Sequence, residues 1–380
     1  MSRAREPIRA RPRIVFLNWR DTTHPEGGGS ELYVERVAAG LAQLGHDVTL
    51  FCSRHGDAPA EQRLPDGVRI LRRGGRHSVY LHAARAYLRG DLGRPDVVVE
   101  VHNGVPFLAR LWARRSKVVV LVHHVHREQW QVLFGPVRAR IGWWAESRLA
   151  PWVNRRQQYV TVSDATRTEL AGLGLDPERI RVVHNGTDAP AECTAPKSTS
   201  PTLLSLSRLV PHKRIEIALD AVATLREEFP DLVLTVAGRG WWSEPLRRHA
   251  ADRGLTDAVR FVGWVSEDER NRLLAESWIL LVPSVKEGWG LVVVEAGARG
   301  TPSIAFAQSG GLTESVVDGV TGVLVPHDDV DGFVAAVGTL VRDPDTLRRM
   351  GTEAITHARR YTWDATVKDF ADLLETVGRP

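Results

Sequence analysis

The sequence predicts an α/β protein of two parallel-sheet domains, on three observations. Strand-like and helix-like stretches alternate along almost the whole chain, the order that parallel sheets with crossover helices require. At 380 residues the chain exceeds what one core usually holds. The stretch 189–201, APAECTAPKSTSP, is poor in apolar residues and rich in Pro, Ser and Thr, as a linker between two such series should be. Domains are therefore expected at 1–188 and 202–362.

Taken in order, RIVFLNW (13–19) reads as the first strand. A glycine-rich loop follows, then Ser30 as the expected N-cap of a helix with Tyr33, Val37, Leu41 and Leu44 on one face. Gly45 ends that helix. HDVTLF, GVRIL, DVVVEV and KVVVLV read as further strands, followed by QYVTVSD and IRVVHNG. The second series opens at Thr202 with LLSLSRLVPHKRIEIALDAV (203–222): a strand, a short basic loop and an amphipathic helix. LVLTVAG, VRFVGWV, WILLVPS, PSIAFA and GVLVP supply its remaining strands, and the tail TWDATVKDFADLLETVG is amphipathic. There is no internal repeat beyond this alternation and no low-complexity segment.

The apolar fraction of 43% and charged fraction of 25% are those of a globular protein. No apolar run approaches the roughly 18 residues of a membrane span. The basic start MSRAREPIRARPR leads only into IVFLNW, too short for a signal-peptide core, so a cytoplasmic location is expected. Of the two cysteines, Cys52 falls at a strand end and Cys193 in the linker, and nothing pairs them. The net charge of +4 points only mildly to acidic membrane surfaces or nucleotides, because 45 of the 50 basic residues are arginine, a bias that genomic composition also produces. No nucleic-acid partner is expected.

The most informative motif is KEGWGLVVVEAGARGTP, which places Glu287 on a loop after a buried strand and Glu295 inside the helix expected from Leu291 to Arg299. Gly288 and Gly290 open the turn between them. A helix N-terminus approached through glycines offers free N–H groups and a partial positive charge, a seat for a diphosphate, and carboxylates beside it accept hydrogen bonds from hydroxyls. That combination describes a nucleotide-sugar better than a metal or a peptide. Arg208 and Lys213, five residues apart in the basic loop, can converge on one anion, and two such cations neutralise a leaving diphosphate without a divalent metal. HPEGGGSE (24–31) sets Gly28 and Gly29 before the first helix in the same way, and SGGLTESV (309–316) repeats the design with Gly310, Gly311 and Leu312 as N–H donors. Neither dinucleotide nor P-loop glycine spacing occurs. His123, His124 and His126 follow a strand, but no closed ligand set accompanies them, so no metal is expected. Asp329-Val330-Asp331 precedes a helix and is expected to cap it.

Ser207-Arg208-Leu209 with Lys213, then Gly238-Arg239-Gly240, then Phe261-Val262-Gly263-Trp264-Val265, then Glu287 to Glu295, stand in one order over about 90 residues. In this the chain resembles the retaining glycosyltransferases of family 4, which have the GT-B fold. That resemblance implies two Rossmann-like domains facing a cleft, with a C-terminal helix, 363–380, crossing back to the first domain. It implies a nucleoside-diphosphate sugar as donor, a hydroxyl acceptor, transfer of a hexose-type sugar, and no cofactor. Arg208 and Lys213 would hold the departing diphosphate, Glu287 and His123 would contact the sugar, and Glu295 the ribose. The register between His123 and His124 stays open. The backbone at Gly263, Trp264 and Val265 would meet the base, with Gly238, Gly288, Gly290, Leu291, Gly310 and Gly311 around the donor and Gly28 and Gly29 near its diphosphate. A sugar-nucleotide epimerase of the same fold is one alternative, and a non-catalytic nucleotide-sugar-binding protein another.

Residues 128–156 mix tryptophan with arginine. On one helix Val137, Ile141, Trp144 and Leu149 fall roughly along one side, with Arg138, Arg140 and Arg148 beside it. Two readings stand: a helix lying on an anionic membrane, which would suit a lipid-linked or cell-envelope acceptor and place the enzyme at the inner face of the membrane, or a core helix with snorkelling arginines.

Overall fold

The computed structural model describes residues 11–188 and 195–378. It divides into two compact units, Met1–Gly186 with Trp363–Pro380, and Thr187–Thr362. In the first, β1 (Arg13–Leu17), β2 (Asp47–Cys52), β3 (Glu61–Arg63), β4 (Arg69–Arg72), β5 (Val97–His102), β6 (Lys117–Val122), β7 (Gln158–Thr161) and β8 (Ile180–Val182) form one sheet. Its order is β3-β4-β2-β1-β5-β6-β7-β8, parallel except for β3 against β4. The second unit holds β9 (Thr202–Leu206), β10 (Val233–Ala237), β11 (Val259–Gly263), β12 (Ile279–Val282), β13 (Ser303–Phe306) and β14 (Gly322–Val325). These run parallel in the order β11-β10-β9-β12-β13-β14. Both units are α/β, as the alternation predicts.

The strands form where apolar runs are continuous, because helices cover both faces of a parallel sheet and leave no wet side. Phe16, Val99, Val119, Leu204 and Leu280 are all fully buried. Each contributes about 1.5–3 kcal/mol by leaving water. Among the described residues the one strand not expected from sequence is β3, whose Glu-Gln-Arg is exposed throughout and is held at the sheet edge by pairing with β4. Ser30 does not cap the first helix, Gly29–Gln43. Gly28 is its N-cap, and the Glu31 carboxylate reaches back to the Gly28 N–H at 2.8 Å. Asp329 does cap the helix Val330–Arg342, accepting from Gly332 N at 2.8 Å.

The terminal helix Trp363–Gly378 belongs to the first unit, where Phe370 packs on Phe16 of β1 (centroids 5.9 Å) and Thr366 Oγ1 donates to the His184 carbonyl at 2.9 Å. Of the expected linker, residues 189–194, Cys193 among them, lie outside the described residues. The rest is anchored on the second unit: Ser198 N donates to Glu276 O, Trp278 Nε1 to Ser198 O, and Lys197 Nζ to Ser277 O at 2.7 Å.

Residues 127–154 are not one helix. Helices run Arg127–Leu133 and Pro136–Trp144, a π-helical turn spans Ala145–Leu149, and Ala150–Asn154 is helical again. Pro151 lacks the N–H that would bond the Ser147 carbonyl, so the turn widens and Ala150 N bonds Ala145 O instead. The core reading fails for most of this stretch, since Val137, Ile141 and Trp144 are 69%, 61% and 56% exposed. Leu149, five residues past Trp144, is half-buried and off their row.

Candidate functional site

In an open parallel sheet, ligands bind beyond the carboxyl ends of the strands where the strand order reverses. The second unit reverses between β9 and β12, and the first between β1 and β5. Arg208, Lys213, Glu287 and Glu295 follow β9 and β12, Gly28 and Gly29 follow β1, and the other motif residues follow neighbouring strands.

In the second unit the loop after β9 carries Arg208 and a 3₁₀ turn, Pro211–Lys213, and the loop after β12 carries Glu287. The Lys213 ammonium and the Glu287 carboxylate meet as an ion pair, 74 residues apart in sequence. Burial opposes the charge on Glu287, but the Lys213 charge, with hydrogen bonds from Lys213 and Ser284, outweighs it and holds the carboxyl below its ordinary range. The expected convergence of Arg208 and Lys213 on one anion is thus altered: the lysine already faces a carboxylate, and Arg208 stands half-buried on the same loop.

Two backbone zippers hold these loops. Ser207 N donates to Ala237 O and Leu209 N to Arg239 O, an approach only glycine permits, because a Cβ on Gly238 would stand 1.8 Å from the Ser207 carbonyl oxygen. Likewise Glu287 N donates to Ser309 O and Gly311 N to Glu287 O, and a Cβ on Gly310 would lie 2.4 Å from that same oxygen. The Gly311 N–H, expected to serve a ligand, is therefore committed to fixing Glu287. Gly288 lies against Gly311, and Gly290 is the left-handed N-cap of the helix Leu291–Gly297.

Glu295 lies inside that helix, with Arg270 Nη1 at 3.3 Å. Burial raises its carboxyl above the ordinary value against the lowering effect of Arg270 and Arg299. Gly263 closes β11 and accepts from Gly238 N at 2.6 Å. Beside it the Trp264 indole is exposed with the Arg239 guanidinium 5.9 Å above its ring, and Val265 packs on the apolar cluster under β12.

Gly28, Gly29 and His123 belong to the first unit. Here the polar residues after β1 were not expected from sequence, although their signal is plain: Asn18, Arg20 and Asp21 follow an apolar strand directly and are all buried. Glu31 gathers the loop, accepting from Gly28 N and Ser30 Oγ at 2.8 Å each and pairing its charge with Arg20, whose Nε stands 2.9 Å from Glu31 Oε1. Asn103, at the end of β5, donates to Asn18 Oδ1 at 2.9 Å. His123, at the end of β6, is buried edge-on against Tyr33, and its Nε2 has no hydrogen-bond partner among the described residues. His124 instead meets Gln129 at 2.9 Å and His126 meets Glu146 at 2.9 Å, and these two rings lie against each other with centroids 4.1 Å apart. Among the described residues no group of three or more His, Cys, Asp or Glu is placed to hold a metal ion.

Burial pushes the His123 imidazole down to about 4, with Glu31 opposing. A histidine neutral in the fold but protonated near 6.5 when unfolded adds stability above 6.5 that is lost as pH falls towards 4, on the order of 3 kcal/mol. His123 is expected to keep its neutral NMR signature at pH 5.5. A titration midpoint above 6 would contradict this placement.

Residues 27–189 match the family described as Glycosyltransferase Family 4, and residues 192–357 that described as Glycosyl transferases group 1. The D-inositol 3-phosphate glycosyltransferase of Kribbella flavida is 30% identical, over 90% of this chain and 89% of that protein. Among solved structures, sucrose-phosphate synthase from Thermosynechococcus elongatus superposes with a TM-score of 0.82 at 20% identity, covering 97% of this chain and 99% of that one. HepE from Anabaena, in complex with UDP-glucose, gives 0.75 at 18% identity, covering 96% and 100%.

Proposed function

Because the chain belongs to glycosyltransferase family 4, with the GT-B fold, we propose that it moves a hexose-type sugar from a nucleoside-diphosphate donor to a hydroxyl acceptor with retention at the anomeric carbon. The observation that carries this reading is the Lys213–Glu287 pair at the reversal between β9 and β12, with a glycine-bounded helix N-terminus directly behind it. HepE, of the same fold, holds UDP-glucose in its solved complex.

In this mechanism Arg208 and Lys213 take up the charge of the departing diphosphate, in place of a divalent ion. Glu287, kept ionised by Lys213, accepts hydrogen bonds from the sugar hydroxyls. Glu295, with Arg270 beside it, takes the ribose hydroxyls. The leaving phosphate oxygen accepts the acceptor's proton on the face from which the diphosphate departs. In the first unit His123, neutral at pH 7, is the candidate to accept from a substrate hydroxyl. The acceptor is lipid-linked or a cell-envelope precursor, on the strength of Val137, Ile141 and Trp144 standing exposed among arginines.

Screening nucleotide sugars and free nucleoside diphosphates for thermal stabilisation tests the donor class, since a ligand that binds only the folded state raises the melting temperature. With the donor found, Glu295→Gln is expected chiefly to weaken binding of the free nucleoside diphosphate, whereas Glu287→Gln spares that binding and lowers transfer. Negligible effects from both substitutions would return the two glutamates to a structural role.

A further inference from the structure

Beside the widened turn at Ala145–Leu149 the first unit has a groove of about 600 Å³, within the range of small-molecule sites. Trp144, Leu149, Pro151 and Trp152 supply its apolar wall, and Arg148 and Arg155 line it too. Trp152 is 65% exposed and Trp144 56%, although indoles normally gain from burial. All five basic residues of 136–156, Arg138, Arg140, Arg148, Arg155 and Arg156, are exposed. The single acid of that stretch, Glu146, is buried beneath it, where it accepts from Trp130 Nε1 at 2.6 Å and from His126 N at 3.0 Å. The surface over the groove therefore presents positive charge with no acid from its own segment to answer it. A purely apolar peptide would leave the guanidinium groups uncompensated, and a soluble sugar phosphate would leave the indoles wet.

We infer that this groove binds a single hydrocarbon chain bearing an anionic head, the chain lying along Trp144 and Trp152 and the head meeting Arg148 and Arg155. The occupant is one amphiphile molecule taken out of its lipid phase. This rests on the reading of a lipid-linked acceptor, and makes the groove the place where that acceptor's chain is held.

Dodecyl phosphate below its critical micelle concentration serves as the probe, followed by tryptophan fluorescence and by calorimetry, with no donor present. One equivalent is expected to bind, with dodecyl maltoside, of the same chain but neutral head, at least about tenfold weaker. Trp152→Ser and the pair Arg148→Ser with Arg155→Ser are each expected to weaken binding tenfold or more, while Val137→Ser, outside the groove, leaves it unchanged. Trp152, Arg148 and Arg155 are exposed, so these variants should fold, and circular dichroism checks that they do. Binding only to anionic vesicles and not to the monomeric amphiphile, or equal losses from Val137→Ser and Trp152→Ser, would overturn the proposal. Stabilisation by nucleoside diphosphate is measured on the same variants. Its survival with loss of amphiphile binding upholds the groove, and its absence in the wild type refutes the donor reading without touching the amphiphile result.

Discussion

Arg208→Ala and Lys213→Ala are each expected to lower turnover by about 10²-fold or more, while excess chelator leaves the wild-type rate unchanged. Each side chain is assigned a share of the charge that develops on the departing diphosphate, and removing one such partner commonly costs two to three orders of magnitude. The two substitutions should differ in their pH dependence. Lys213 also holds the half-buried Glu287 carboxyl below its ordinary range. Without the ammonium, burial is the largest influence on that carboxyl, and its pKa moves up. The residual activity of Lys213→Ala should then rise with pH as Glu287 ionises, whereas that of Arg208→Ala should follow the wild-type profile. Steady-state rates between pH 5 and 9, with and without chelator, decide the matter. Complete loss in chelator, restored by magnesium or manganese, would show that a metal carries the charge instead.

What the sequence made legible follows from how each contact is built. Strands such as Val97–His102 and Lys117–Val122 are continuous apolar runs because they are covered on both faces, so composition alone reveals them. The glycine loops were equally visible, since Gly238, Gly310 and Gly311 sit where backbone meets backbone. The partner of Glu287 was not visible. Spacing inside 287–295 is a local property, but Lys213 reaches Glu287 only because β9 and β12 are neighbours, a fact of sheet order. Gly311 illustrates the same limit, because its N–H bonds a carbonyl on a different loop. In the segment 128–156, Val137, Ile141 and Trp144 share one exposed row as their spacing predicts, whereas Leu149, five residues past Trp144, falls on another side and is half-buried. The polar cluster after β1 had a local signal, a run of Asn, Arg and Asp directly behind a buried strand, and that signal marks the reversal of the first sheet as surely as the glycines do.

That cluster makes the largest expected change in stability. Arg72 on β4 and Asp21 after β1 are both almost wholly buried, with Arg72 Nε 2.6 Å from Asp21 Oδ2. The guanidinium also donates to Pro59 O at 3.0 Å and Gln62 Oε1 at 3.2 Å, while Asp21 accepts from Thr23 Oγ1 at 2.7 Å and lies 3.0 Å from His55 Nε2. Burial works against the Asp21 charge, but the Thr23 hydrogen bond and Arg72 together hold its carboxyl below the ordinary value. The stabilisation from this carboxyl is therefore fully present above its unfolded pKa, near 3.9, and is lost as pH falls through the lower folded value. Arg72→Met removes one member of a buried pair and is expected to cost about 3–5 kcal/mol at pH 7. In that variant the lowering effect of Arg72 is lost and the Asp21 carboxyl is expected to move up, so the deficit should shrink as pH is lowered and the carboxyl takes up its proton. Adding Asp21→Asn removes the charge while keeping an acceptor for Thr23, and the double variant should recover most of the loss. Urea unfolding of the wild type, both single variants and the double variant at pH 7 and pH 5 gives the coupling between the two residues. Additive losses would mean that Arg72 acts through packing against β3 and β4 alone, and that the charge of Asp21 is balanced by Thr23 and His55.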